Sequence, residues 1–117
     1  MDTYKAGIDS IELQLNLLDS TTGEAVVLSG VDDIEVEITL ENDPDGEVFW
    51  SGSLQGGDVH ISGEAEGEVL CFIDNDDTGS WPIISSYFAN VIKSVVDDNF
   101  SSGYKYSQGR VHVFNIG

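Results

Sequence analysis

Positive charge is scarce in this sequence. Lys5, Lys93, Lys105 and Arg110 stand against 22 Asp and Glu, for a net charge of -18. A surface of that sign repels phosphate backbones and anionic membranes, so neither nucleic acid nor a membrane is expected as a partner. It favours cations, basic partners or a saline setting, where salt screens the mutual repulsion. Four cations also leave little from which to build a phosphate or oxyanion clamp. Cysteine is nearly absent. Cys71 alone cannot close an internal disulfide, and its place in the apolar run Val69-Leu70-Cys71-Phe72-Ile73 suits an inert core thiol. That usage fits assembly in a reducing cytoplasm. Two prolines against thirteen glycines argue for many short turns rather than a low-complexity linker. No apolar run approaches the roughly 18 residues that a membrane span needs. The opening residues, Met1-Asp2-Thr3-Tyr4-Lys5, place no basic segment ahead of an apolar core, so no signal peptide is expected.

Catalytic motifs are missing too. His60 and His112 are the only histidines, and neither has a Cys or His partner at zinc spacing; both read as solvent-facing strand residues. There is no Gly-x-Ser-x-Gly elbow and no Gly-rich phosphate loop followed by Lys. Carboxylates are so abundant that a pair of them carries no information about glycosidase chemistry. The expectation is a protein that is not an enzyme and has no cofactor.

What the sequence does have is alternation. Ile11, Leu13, Leu15 and Leu17 share one face, with Glu12, Gln14 and Asn16 on the other; Ile34, Val36, Ile38 and Leu40 share a second, opposite Glu35, Glu37 and Thr39. A period of two marks a strand with one dry face and one wet face. Turn chemistry separates further runs. Asn42-Asp43-Pro44-Asp45-Gly46 pre-sets a turn and predicts a hairpin between strands 34–41 and 47–53. Strands are then expected at 58–62 and 68–74. The stretch 83–96 reads two ways: Ile84, Phe88, Val91 and Val95 fit an amphipathic helix, whereas its β-branched and aromatic content favours a strand. Two short strands at 104–107 and 110–116, split by Gln108-Gly109, close the chain. Seven or eight short strands at roughly 10-residue spacing predict an all-β protein, an antiparallel β-sandwich built as a single domain over 1–117.

Two places invite a binding reading. Asp74-Asn75-Asp76-Asp77-Thr78-Gly79 offers oxygens at Asp74, Asp76 and Thr78 and a glycine sixth, as in the first half of an EF-hand loop; position twelve is Ser85, where a bidentate Glu is needed. An Asp-rich turn in an acidic protein is the plainer reading of the same residues. Trp50, Trp81, Tyr104 and Tyr106 offer aromatic faces for a sugar, with Trp81-Pro82 partly exposed beside a loop; core or interface packing is the commoner fate of such rings.

Taken together, the runs resemble the immunoglobulin-like domains of tailed-phage virion proteins, in particular the N-terminal domain of phage baseplate upper proteins. The resemblance lies in the alternating strand ending at Leu18, in Asp19-Ser20-Thr21-Thr22-Gly23-Glu24-Ala25-Val26-Val27-Leu28-Ser29-Gly30, in Ile34-Glu35-Val36-Glu37-Ile38, and in the closing Gly109-Arg110-Val111-His112-Val113. It covers most of the chain. It implies an immunoglobulin-like sandwich, a strand over most of 83–96, and no catalytic residues. It also implies a structural role in the virion (baseplate, tail-fibre adaptor, neck or capsid decoration), assembled in the host cytoplasm through contacts with other virion proteins and with copies of itself. Two other readings stand beside it. The charge suits an acidic DNA mimic that inhibits a nucleic-acid enzyme, and the Asp-rich loop and exposed rings suit a carbohydrate- or calcium-binding adhesion module.

Overall fold

The two alternating runs form two strands that lie in different sheets and bury their dry faces in one shared core. A computed structural model describes residues 2–19 and 21–117, with backbone alone for Asp2 and for 108–113. Among these residues the strands are β1 (Asp2–Tyr4), β2 (Ile11–Asn16), β3 (Asp33–Leu40), β4 (Trp50–Ser53), β5 (Val59–Gly63), β6 (Glu68–Ile73), β7 (Ser85–Val95) and β8 (Tyr104–Ile116), with one helical turn, α1 (Asn75–Thr78). The order is β1-β8-β7-β3-β4 in one sheet and β2-β6-β5 in the other. Every pairing is antiparallel except that of β1 with β8, which is parallel. This is an all-β, immunoglobulin-like sandwich. Its larger sheet has the order of the variable-type front sheet, and its smaller one is the opposite sheet without a first strand beside β2.

The dry faces meet as the alternation requires. Ile11, Leu13, Leu15 and Leu17 are at most 2% exposed, and Val59, Val69, Cys71 and Ile73 bury with them. From the other sheet come Ile34, Val36, Ile38, Tyr87, Ala89, Val91, Phe114 and Ile116, all buried. Each large aliphatic side chain so enclosed contributes about 1.5–3 kcal/mol relative to exposure. Glu12 and Glu37 face solvent, as their register demands, and Glu35 is half-exposed. Thr39, on the wet side of β3, is nonetheless buried. Phe88 lies opposite it on β7, and Asn90 Nδ2 donates to its Oγ1 at 3.2 Å.

Three expectations change. Within 83–96 lies β7, an 11-residue strand paired by β3 on one side and β8 on the other, so the helical reading falls. The two closing strands are one. β8 runs unbroken through Gln108-Gly109 because the register with β7 slips between Ala89 and Asn90 and again between Val91 and Ile92. Each slip accommodates an extra residue as a bulge, which imitates a turn in sequence. Trp81 is core, only 5% exposed, packed on Phe49 and Tyr87 with ring centroids 5.7 and 5.3 Å away.

Candidate functional site

At the far end of β7 and β8 the cover from the smaller sheet runs out. Val91 is buried, but the next inward-facing pairs, Lys93 with Tyr106 and Val95 with Tyr104, are open to solvent in part or in full. The turn at 96–103 then folds back, with Gly103 N–H donating to the Phe100 carbonyl at 3.0 Å. The result is a run of three aromatic rings. Phe100 meets Tyr104 edge-on at 5.5 Å, and Tyr104 meets Tyr106 at 4.6 Å. All three stay 41–52% exposed. Edge-to-face and tilted contacts at these spacings hold the rings in fixed relation.

Across from Tyr106, the chain leaving β2 supplies the other wall. Leu18 and Val27 are 56% and 59% exposed and line an open cleft of about 550 Å³ together with Lys93, Tyr106, Asp19 and Glu24. The wall is stiffened by Asp19, whose Oδ1 accepts from the N–H groups of Thr21 and Thr22 at 2.8 and 2.9 Å. The Thr22 N–H, then that of Thr21, holds this carboxyl below its ordinary range. The Lys93 ammonium lies 5.0 Å from the Tyr106 ring centroid. An exposed cation–π contact of this kind contributes about 0.5–1 kcal/mol. Lys105 bonds Glu35 at 3.3 Å, the one ion pair among the described residues, and at this exposure it contributes at most about 1 kcal/mol. Chemically the end offers apolar and aromatic area with an acidic rim. Among the described residues it gathers no nucleophile, base and orienting group.

The residues singled out by the sequence scatter. Thr78 is fully buried; its hydroxyl donates to the Asn75 carbonyl at 3.1 Å and accepts from Gly7 N–H at 2.9 Å, so it ties the N-terminal turn to α1. Asp74 and Asp76 are exposed around that turn. No group of three or more His, Cys, Asp or Glu among the described residues is placed to hold a metal ion. His60 faces solvent on β5, with its ring 5.2 Å from Phe72. The side chain of His112 lies outside the described residues. Of the four aromatics considered for a sugar face, only Tyr104 and Tyr106 lie together in the open; Trp50 is half-buried against the core. Phe100, Leu18 and Val27 were not singled out. Their one sequence signal is position: a large apolar side chain inside or beside a turn, where no core can reach it.

No protein-family model matches the chain, and no curated protein matches it.

Proposed function

We propose that this protein is a structural, non-catalytic component of a tailed-phage virion that works by protein–protein contact, assembled in the host cytoplasm. The observation that carries the reading is the exposed aromatic end: the ring run Phe100, Tyr104 and Tyr106, with Leu18 and Val27 across the cleft from Tyr106. Contiguous apolar area rimmed by polar groups is what interaction surfaces present, and tyrosine is favoured there because it adds large area at small entropic cost. The resemblance of the alternating strands and the Gly23 turn to phage immunoglobulin-like domains supplies the setting. The acidic remainder suits a solubilising coat that leaves one end for association. Mass spectrometry of purified phage particles tests the reading. The chain is expected as a stoichiometric particle protein, and its absence from washed particles would contradict the proposal.

One observation favours a second reading. Two adjacent exposed tyrosines beside a cleft are also a platform for a sugar ring. Calorimetric titration with neutral oligosaccharides separates the two, since a contact surface for protein gives no heat with them.

A further inference from the structure

The smaller sheet ends at β2, and that edge is left unfinished. Leu17 N–H donates to the Gly67 carbonyl at 2.9 Å, which fixes the odd-numbered residues of β2 as those bonded to β6. The backbone N–H and C=O groups of Glu12, Gln14 and Asn16 therefore point away from the sheet. No strand pairs with them, and among the described residues no other backbone group does. Every other edge is blunted. β1 has three residues, β4 has four and includes Gly52, and β5 slips register between Ile61 and Gly63. β2 has six residues, no bulge, no proline and no lysine. An edge left in that state is a template for another strand.

We infer that the edge of β2 takes one extended strand from a partner chain, apolar at alternate positions and basic between them. The smaller sheet has two strands fewer than the larger, and on the β2 flank the larger sheet carries β1 beyond β8. A single added strand would extend the smaller sheet on that flank and cover half-buried Tyr4. Main-chain bonds give affinity in this mode, and the alternate side chains give specificity. The charge selects the sign. Glu12 sits on the open edge of a chain with a net charge of -18, so lysine or arginine opposite it gains what an acidic strand or a second copy of this chain would lose. These residues are separate from the aromatic end, so the inference does not rest on that surface and neither test decides the other.

The probe is a synthetic peptide of alternating valine and lysine, with a proline–lysine peptide of equal charge as control. Amide hydrogen exchange should slow about tenfold or more at Glu12, Gln14 and Asn16 with the first peptide and stay unchanged with the second. Gln14→Pro removes the middle outward N–H, leaves the β6 ladder alone, and should weaken binding about tenfold. Glu12→Lys, a change on an exposed side chain, should weaken it with the fold intact. Equal protection by both peptides, no protection at these amides, or unchanged binding by Glu12→Lys would overturn the inference. So would concentration-dependent protection of the same amides without peptide, which would make a second copy the occupant.

Discussion

The phenol of Tyr87 donates a 2.6 Å hydrogen bond to the Pro82 carbonyl, five residues upstream. The bond closes the corner where α1 and the turn after it enter β7, a position at which immunoglobulin-like sandwiches place a tyrosine. Tyr87 is fully buried while Pro82 is exposed, so Tyr87→Phe removes the donor and leaves a carbonyl that water can reach. A loss of about 0.5–1.5 kcal/mol is expected, read as a lower denaturant midpoint with an unchanged slope.

The same corner holds a strained residue. Ile84 has φ of 55° and is 89% exposed. A β-branched residue in the left-handed region carries about 1–2 kcal/mol of strain, and here no burial offsets it. Ile84→Asn, which tolerates that conformation, should raise stability by about 0.5–1 kcal/mol in chemical unfolding.

Gly67 sits at the opposite kind of site. Its φ is 64°, and a Cβ there would lie 2.6 Å from the Leu17 carbonyl oxygen and 2.8 Å from that of Val26. Both are backbone atoms, and the two segments are pinned by the Leu17 N–H to Gly67 carbonyl and Val26 N–H to Leu17 carbonyl bonds, so neither gives way cheaply. Gly67→Ala should cost more than about 2 kcal/mol and lower the melting temperature by about 8 °C or more.

Burial pushes the Cys71 thiol from 9.0 up to about 12, and burial, then the Glu47 charge, pushes Tyr87 from 10.0 up to about 12. In both, the folded value lies above the unfolded one. Their contribution is complete below about pH 9 and is lost as pH rises towards 12, because the unfolded chain releases protons first. Stability should fall across that window, and the fall should be shallower in Cys71→Ala. The thiol should resist disulfide exchange reagents until the chain unfolds.

Much of the sandwich was legible, and the reason is local. Ile11 to Leu17 and Ile34 to Ile38 alternate so regularly that their inward faces follow from the period alone. Residues 83–96 did not yield to the same logic, because both periods fit them; the pairing of β7 on two sides decides for the strand, and that is a tertiary fact. Gln108-Gly109 carries turn chemistry, yet β8 absorbs it through register slips against β7. The candidate site was half-legible. Tyr104 and Tyr106 stood out as aromatics, but their exposure depends on where the smaller sheet stops, which no pattern within β8 records. Trp81 shows the converse: beside Pro82 and an acidic loop it reads as exposed, while Phe49 and Tyr87 enclose it.

The central claim is that the aromatic end binds a neighbour in an assembled particle. The most direct measurement is the amount of Tyr104→Ser/Tyr106→Ser chain in purified phage particles, by quantitative mass spectrometry against the unsubstituted chain. Both rings are more than 40% exposed, so the variant should fold and melt close to the original. The variant should be folded in solution and depleted at least about tenfold from particles, as befits aromatic anchors at an interface. Incorporation at the original level would contradict it.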